Sequence, residues 1–442
     1  MGHDMKATAR AIFQQTLAAI DIHSAIARKL ERDGPRICSG ARGGAVGEID
    51  LRDFREIVGI AFGKASIAMA EAFQAALAPD FQVDGILVAP HAPARELRGW
   101  KNFIGGHPLP TEESFAAGRE ILARLGRCDE RSLVVFLISG GGSSMVEAPL
   151  HAGTELADFR ALHAALVTCG APIEEINVVR KHLSATKGGR LAAVAPHSMK
   201  LTFAVSDVPG GEESALASGP TLPDPSTIAD AERVVKEYGV LAKLPAAIRD
   251  IFLQGRLAET PKESDAAFKR AVFDVLLGEH DLVHRAHYCC EAQGILCMAD
   301  EMTDGWPLAK AADELLAQLA ELQKEHPGKR VAILSGGELS CPVTGDGVGG
   351  RNSAFVLECV PKIAGKKIVV LSAGTDGIDG NSPAAGAVAD GKTLGRAEQA
   401  GMNCEEYLGR SDSYTFFDKL EDSIVIGATG NNLRDLRVLI SG

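Results

Sequence analysis

The sequence predicts an α/β protein built on a parallel, doubly wound sheet and divided into two domains. Three apolar runs each end in a loop rich in glycine and serine, at residues 134–144, 331–338 and 368–380. A short β-branched run that stops at Ser-Gly-Gly or Ser-Ala-Gly is typical of a buried strand that ends in a tight loop. The chain has 442 residues. That length exceeds the size at which a single core stops growing, so two domains are expected.

Strands and helices alternate along the first half of the chain. Residues 6–30 have the spacing of an amphipathic helix, with Phe13, Leu17 and Ile20 on one stripe. Further segments predict strands that end in glycine or proline and helices that follow them: REIVGIAFGKASIAMAEAFQAAL, VDGILVAP, GGHPLPTEESFAAGREILARL, SLVVFLISGGGSSM and KLTFAVSDVPGGEES. Alternation at this spacing favours a parallel sheet, in which ligands bind beyond the carboxyl ends of the strands.

The second half of the chain predicts another strand–helix series. Residues 221–262 have a helical and polar pattern and contain four prolines, which makes them the best candidate for a linker. The segments VFDVLLG and GILCMADEM then predict strands, PLAKAADELLAQLAELQKE predicts a helix, and two more strands follow. We therefore expect an amino-terminal domain over residues 1–240 and a carboxy-terminal domain over residues 241–442.

Composition and charge exclude several classes of function. The 46 basic residues are outnumbered by 58 acidic ones, and no long basic block occurs, so nucleic acid and anionic membranes are poor partners. The nine cysteines are scattered and odd in number, which favours reduced thiols in the cytoplasm over a disulfide framework. The first twenty residues lack the apolar core of a signal peptide, and no apolar run approaches the ~20 residues of a membrane span.

Several cations and carboxylates occupy positions that suit anionic ligands, although each has a structural alternative. Lys64 follows a strand in Phe-Gly-Lys-Ala, which is not a Walker A loop but places an ammonium group beside a helix start. The alternative is a solvated turn lysine. Asp207 ends a strand, where carboxylates serve as bases or magnesium ligands, or else cap helices. Arg351 follows a run of glycine and aspartate that suits a mobile anion clamp.

A cationic cluster near two glycines consists of Lys181, Lys187 and Arg190. The structural alternative is that these are solvated charges on the surface of a helix. His107 lies in the rigid loop GGHPLP, where a lone histidine is more often structural than catalytic. Other classes of site lack their motifs. The sequence has no G-x-G-x-x-G after a strand with an acidic residue some 20 residues on, no H-E-x-x-H and no G-x-S-x-G. The sequence therefore disfavours a dinucleotide-binding enzyme, a zinc enzyme and a serine hydrolase.

The collected motifs resemble the glycerate 2-kinase family, which also carries the name hydroxypyruvate reductase of tartrate catabolism and has a carboxy-terminal MOFRL-type domain. The resemblance rests on eight segments in the order of the family, which span nearly the whole chain: AFGKA, GGHPLP, ISGGGSSM, VRKHLSATKGGRLA, SDVPG with ASGPT, LSGGE, GGRN and GTDGIDG. It implies a Rossmann-like amino-terminal domain, a smaller α/β carboxy-terminal domain, and ATP and glycerate in the cleft. It also implies that Lys64, Asp207 and Arg351 form the catalytic set.

The resemblance assigns roles to further residues. Asp207 would accept the proton of the glycerate 2-hydroxyl or orient it. With Glu212 it would hold Mg²⁺, since Gly211 and Glu212 stand where the family usually has paired acids; Glu213 is the alternative ligand. Ser353-Ala354 replaces the common Gln-Glu after GGRN, which bears on substrate choice. The expected nucleotide-binding residues are Ser139, Gly140, Gly141, Gly142, Ser143, Ser144, Lys187, Ser335, Gly336, Gly337, Glu338 and Asp376.

Two alternative functions and three details stay open at this point. The alternatives are an NAD(P)H-dependent hydroxypyruvate reductase, which the missing dinucleotide fingerprint disfavours, and a sugar-phosphate-binding regulator. The regulator would need neither a base nor a magnesium carboxylate. The cation that binds the glycerate carboxylate is Arg42, Lys187 or Arg351. The stereochemistry of the acid is undetermined, and a homodimer is possible.

Overall fold

The computed structural model describes residues 4–41, 44–45 and 48–442, and it separates into two compact units. The first unit is Ile22–Leu276, and the second comprises Met1–Asp21 with Leu277–Gly442. The two-domain α/β organisation predicted from the sequence is confirmed, but its boundary differs from the expected one at residue 240. Residues 241–276 lie in the first unit, and the described residues up to Asp21 lie in the second.

The helices share the chain with short 3₁₀ turns at Leu51–Asp53, Glu213–Ser218, Leu241–Lys243 and Ala266–Phe268. The α-helices are α1 (Met5–Ala19), α2 (Ile22–Lys29), α3 (Ser66–Leu77), α4 (Glu112–Leu125), α5 (Gly142–Met145), α6 (Leu156–Val167), α7 (Ile173–Leu183), α8 (Arg190–Val194), α9 (Ile228–Glu237), α10 (Ala246–Leu253), α11 (Glu279–Ala292), α12 (Leu308–Glu325), α13 (Arg351–Ile363), α14 (Thr393–Gln399), α15 (Cys404–Gly409) and α16 (Ser413–Lys419).

The strands form three sheets. They are β1 (Leu30–Asp33), β2 (Arg36–Ala41), β3 (Gly44–Ala45), β4 (Ile49–Asp50), β5 (Glu56–Phe62), β6 (Val83–Ala89), β7 (Trp100–Ile104), β8 (Ser132–Ser139), β9 (Met199–Val205), β10 (Ala271–Leu277), β11 (Leu296–Asp300), β12 (Val331–Ser335), β13 (Ile368–Gly374), β14 (Gly386–Asp390), β15 (Ser423–Ile424) and β16 (Asp435–Ser441). The small sheet of β1–β4 is antiparallel in each pair that the structure records.

The first unit is organised around a six-stranded sheet of order β10-β9-β8-β5-β6-β7. Strands β5 to β9 run parallel, so their carboxyl ends share one edge. Every residue of β8 is buried, as expected for a parallel strand covered on both faces. The order reverses between β5 and β8, and a ligand is expected at such a point in a doubly wound sheet.

The expected linker at 221–262 is instead part of the first unit's core. Its two helices, α9 and α10, bury Val234, Val235, Ile248 and Ile251 in a cluster with residues of α6 and α7. The prolines lie around the helices; Pro245, for example, directly precedes α10. VFDVLLG, expected to open the second domain, is the edge strand β10 of the first sheet.

The second unit has a mixed six-stranded sheet of order β11-β12-β16-β13-β14-β15. Strand β16, close to the end of the chain, inserts antiparallel between β12 and β13. The amino-terminal helix belongs here too: Lys6 pairs with Asp422 at 2.7 Å, and Arg10 donates to the Ser423 carbonyl at 3.0 Å. The helix predicted over 6–30 is two helices, because α1 ends before Ile20.

Among the helices of the described residues, none is long and apolar enough to cross a membrane.

Candidate functional site

Lys64 and the first serine–glycine loop lie side by side at the carboxyl edge of the first sheet. Strands β5 and β8 pair with Phe62 opposite Ile138, and each chain turns away within two residues of that pair. The Lys64 N–H donates to the Gly140 carbonyl at 2.9 Å, and the Ala65 N–H donates to the Ser139 hydroxyl at 2.9 Å. These bonds fix the start of α3 against the loop, so the Lys64 side chain leaves the sheet beside the glycines.

Gly141 allows the lysine and His107 to approach the loop. It has φ of 81°, in the left-handed region, and a Cβ at this position would lie 3.3 Å from Lys64 Cγ and 3.4 Å from His107 Nδ1. His107 Nδ1 is 3.3 Å from the Ser144 hydroxyl. Burial, together with the charge of Lys64, lowers the pKa of His107, so the neutral imidazole is favoured beside the lysine.

Lys187 is buried beneath the same loop. Its ammonium group donates to the Ser143 carbonyl at 2.7 Å and to the Glu147 carboxylate at 2.6 Å, and its side chain is 1 % exposed. Burial lowers the pKa of Lys187 to about 8, although Glu147 opposes the change. Lys187, which was expected to contact a nucleotide, is enclosed in this structure and holds Ser143 in place.

A second buried network supports Ser143 from its hydroxyl side. Arg180 donates to the Ser143 hydroxyl at 3.2 Å, and that hydroxyl also lies 2.9 Å from the hydroxyl of Ser218. Ser218 donates to the Asn177 side chain at 3.3 Å and has φ of 64°, a strained conformation for serine. Sequence reasoning missed Asn177, Arg180 and Ser218 as functional candidates.

The cationic cluster that included Lys187 is not a set of solvated charges. Lys181 pairs with buried Asp224 at 3.1 Å, and Arg190 donates to the Ala258 carbonyl at 3.0 Å. All three cations thus organise the segments around α7 and α8.

Asp207 lies at the carboxyl edge of the same sheet. Strand β9 pairs with β8 so that Val205 lies opposite Ser139, and Asp207 follows Val205 by two residues. Strand neighbours therefore bring Asp207, the loop after β8 and Lys64 to one edge. The expected metal ligand Glu212 is exposed, whereas the Glu213 carboxylate accepts from the Gly211 N–H at 3.0 Å. Among the described residues, no group of three or more histidine, cysteine or acidic side chains could hold a metal ion.

The second unit carries Arg351 at the first position of α13. Its guanidinium donates to both oxygens of Asp435, at 2.6 and 3.2 Å, and lies 2.8 Å from Glu338. Burial opposes the charge, but the two carboxylates raise the pKa of Arg351 overall. The segment before it is tied down, because Val348 and Gly349 N–H groups donate to Asp412 and Asn381. Arg351 is thus a fixed cation in this structure.

The second serine–glycine loop, after β12, is held by two arginines. Buried Arg437 donates to the Ser335 hydroxyl at 3.1 Å and to the Gly337 carbonyl at 3.2 and 3.3 Å. Arg434 pairs with Glu279 and with Asp304, and Asp304 in turn accepts from the Glu338 N–H at 2.8 Å. These contacts hold the Ser335 hydroxyl, the Gly337 carbonyl and the Glu338 N–H in place. Neither arginine was singled out from the sequence.

The aspartates of the GTDGIDG segment have local roles. Asp379 is buried and accepts from the N–H groups of Asn352 and Ser353, both at 2.9 Å, so it caps α13. Asp376 accepts from the Ile378 N–H at 3.0 Å. Because a carboxylate already occupies the start of α13, an anionic ligand near this helix must be met by a side chain, and Arg351 is adjacent.

The three candidates for binding an acid carboxylate have different surroundings. Lys187 is buried against Glu147, Arg351 is held by Asp435 and Glu338, and Arg42 lies outside the described residues.

Two family models match the chain. One is described as a domain of unknown function, DUF4147, and matches residues 8–253; the other is described as the MOFRL family and matches residues 331–435. Curated relatives include a glycerate 2-kinase from Pyrococcus horikoshii, 33 % identical with 86 % of each chain covered. A D-glycerate 2-kinase from Thermotoga maritima is also 33 % identical, with 86 % of this chain and 89 % of the relative covered.

A third relative carries a different name. A putative hydroxypyruvate reductase from Agrobacterium vitis is 38 % identical, with 86 % of each chain covered. Among solved structures, a glycerate kinase from Thermotoga maritima superposes with a TM-score of 0.83 at 29 % identity, with 99 % of each chain covered.

The fold and the loops at the strand ends define a two-unit α/β protein with fixed cations beside serine–glycine loops. The chain belongs to the glycerate 2-kinase family, as the two domain matches, the relatives and the solved structure show together. The resemblance recognised in the sequence is confirmed.

Proposed function

We propose that the protein transfers the γ-phosphate of ATP to the 2-hydroxyl of D-glycerate, giving 2-phospho-D-glycerate and ADP. Membership of the family supports a kinase of glycerate; ATP as donor and the D-isomer are part of the proposal. The observation that carries it is the placement of Lys64, the Gly140–Ser144 loop and Asp207 at the ends of three adjacent parallel strands.

Lys64 and the glycine loop act on the transferred phosphate in this proposal. Phosphoryl transfer depends mainly on positioning and on neutralising charge on the phosphate oxygens. Lys64 supplies a cation, and the loop from Gly140 supplies backbone N–H groups and the hydroxyls of Ser143 and Ser144. Lys187 and Arg180 keep Ser143 in one position, so the loop is organised before a phosphate binds.

Asp207 serves as the proton acceptor in this proposal. The glycerate 2-hydroxyl oxygen forms a bond to the γ-phosphorus while the bond from that phosphorus to the β,γ-bridging oxygen breaks. The hydroxyl proton passes to the Asp207 carboxylate, which makes the attacking oxygen a better nucleophile. Arg351, held by Asp435 and Glu338, neutralises charge on the phosphates of the donor.

Magnesium fits the carboxylates present only if phosphate oxygens complete its coordination. Asp207 with Glu212 or Glu213 offers hard oxygen ligands, and Mg²⁺ at phosphoryl-transfer sites typically takes one or two carboxylates plus phosphates. When bound, the ion would neutralise charge on those phosphates. Glu213 would have to release the Gly211 N–H to take part, whereas Glu212 is exposed.

The alternative activity, reduction of hydroxypyruvate by NAD(P)H, is supported by the name that two relatives from Agrobacterium vitis carry. The kinases from Pyrococcus horikoshii and Thermotoga maritima match the same share of this chain. None of the described strands leads directly into a G-x-G-x-x-G turn, because the run with that spacing, at 345–350, begins ten residues after β12 ends. We therefore expect no oxidation of NADH or NADPH when hydroxypyruvate is added.

The proposed reaction is tested with the full chain, MgATP and each glycerate enantiomer. We expect ADP release with D-glycerate, and ³¹P NMR should show 2-phosphoglycerate as the product. Lys64→Ala provides a matched protein with the phosphate cation removed, and it should release far less ADP. Formation of 3-phosphoglycerate alone, or the absence of ADP release with any hydroxy acid, would refute the proposal.

The pKa of Lys187 predicts an alkaline limit to activity. Only protonated Lys187 carries the positive charge that pairs with Glu147 while it donates to Ser143, so kcat/KM should fall as the pH rises through about 8. Lys187→Arg keeps its charge at that pH and should move the fall to a higher pH. Activity profiles from pH 6 to 10, with melting temperatures at each pH, would check this. A fall at the same pH in both proteins would show that another group is responsible.

A further inference from the structure

A cavity of about 640 Å³ lies within the second unit, beside Arg351. Ligand pockets of roughly 300–1,000 Å³ accommodate molecules much larger than a three-carbon acid, so glycerate would leave most of this space unfilled. Apolar side chains contribute much of its wall: Leu308, Leu339, Pro342, Val343 and Leu408. An occupant should therefore have a large apolar surface in addition to any charge.

One face of α13 gives the cavity a positive charge at one end and a negative charge at the other. Arg351, Ala354 and Glu358 all line it, and their spacing of three and four residues places them on the same side of the helix. Glu358 follows Arg351 by seven positions, which corresponds to a rise of about 10 Å along the helix axis. The small side chain of Ala354 leaves room between them. A fitting molecule carries negative charge at one end and a hydrogen-bond donor at the other.

The wall on the glycine side is already ordered. Gly347 donates to the Arg410 carbonyl at 3.0 Å and accepts from the Asn381 amide at 3.1 Å, while the Gly349 N–H donates to Asn381 at 2.8 Å. A cavity with a preformed wall binds its ligand without the entropic cost of ordering a loop. Since Asp379 occupies the start of α13, the anionic end of that ligand must face Arg351.

We propose that this cavity binds the nucleoside part of the phosphate donor. An adenine nucleotide has the required features: phosphates that meet Arg351, a flat base that packs on the apolar wall over Ala354, and an exocyclic amino group that donates to Glu358. Glu358 also lies 3.4 Å from Lys362, whose other partner is Asp313 at 2.7 Å. This inference rests on the proposed function, because it identifies where the ATP of that reaction binds.

The inference is tested with Ala354→Leu, which fills the middle of the cavity, and Glu358→Ala, which removes the acceptor for the amino group. Ala354→Leu should raise the KM for ATP and the Kd for ADP, measured by calorimetry, at least about tenfold, with the KM for glycerate unchanged. The wild type should prefer ATP over ITP, which lacks the amino group, and Glu358→Ala should lose that preference. Asp313→Asn is the matched control, because it disturbs Lys362 but does not line the cavity.

The outcomes separate this inference from the proposed function. If the wild type phosphorylates glycerate and both variants keep its KM for ATP, the cavity is not the nucleoside site, but the proposed reaction stands. A rise in the KM for glycerate alone would likewise overturn the inference. If no hydroxy acid is phosphorylated yet ADP binds and Ala354→Leu weakens it, the nucleotide site is supported and the acceptor is wrong. Absence of both turnover and ADP binding would overturn both. Glu358→Ala provides the same readout if Ala354→Leu does not fold.

Discussion

Asp207→Asn should lower kcat about 10²- to 10⁴-fold, the range that a positioned general base contributes. The substitution keeps the size of the side chain and its capacity for hydrogen bonding but removes the proton acceptor. ATP affinity should barely change, because the carboxylate acts on the hydroxyl of the acceptor. Steady-state kinetics with D-glycerate, ADP binding by calorimetry and the melting temperature together measure the effect.

Magnesium dependence separates the two roles that Asp207 can have. If it accepts the proton, excess Mg²⁺ should not restore kcat in Asp207→Asn. If it is chiefly a metal ligand, the variant should need more Mg²⁺ and recover at saturation, and Glu212→Gln should show a similar requirement. Retention of more than about a tenth of wild-type kcat, a loss under roughly 1.4 kcal/mol, would exclude an essential base. Asp207 would then have a structural role.

The strand-to-loop junctions of this fold could be predicted from the sequence because their signal is local. An apolar run such as SLVVFLIS followed by three glycines predicts a buried strand and a tight loop without reference to the rest of the chain. Strand β16 could not be placed in the same way. Its position between β12 and β13 depends on pairing with residues about 70 and 100 positions earlier. The prediction of a linker at 221–262 was wrong for a related reason. Val234 and Ile248 are buried against helices that are distant in the sequence.

In the candidate site, too, the features set by local sequence could be predicted and the long-range contacts could not. The positions of Lys64, Asp207 and the Gly140 loop follow from the ends of parallel strands, which share an edge. The ion-pair partners of the cations could not be predicted in this way, because Glu147 and Lys187 are 40 residues apart and Arg351 and Asp435 are 84 residues apart. Whether a cation can contact a ligand directly depends on those partners. Lys187 is enclosed and supports the loop, whereas Arg351 lies at the edge of a cavity.

Arg351→Met should abolish most activity, with kcat reduced about 10³- to 10⁵-fold, the range measured for arginines that stabilise phosphoryl transfer elsewhere. Methionine retains much of the side-chain length but removes the charge beside the phosphates. The same change leaves the buried carboxylate of Asp435 without its bidentate partner. An unsatisfied buried polar group costs about 1–3 kcal/mol, so the variant should also unfold at a lower temperature. A loss of activity in this variant alone would therefore not distinguish a catalytic defect from a loss of stability.

The double variant Arg351→Met/Asp435→Asn separates the two effects. The neutral amide no longer leaves a buried charge unpaired, so the melting temperature should return most of the way to that of the wild type. The kcat should stay at the level of Arg351→Met, because the cation is still missing. Arg396→Met is a matched control in the same unit: it removes an arginine paired with Asp422 at 2.8 Å and should affect stability more than kcat. If activity instead recovers together with stability in the double variant, Arg351 only holds the fold and the phosphate charge must be neutralised by another residue.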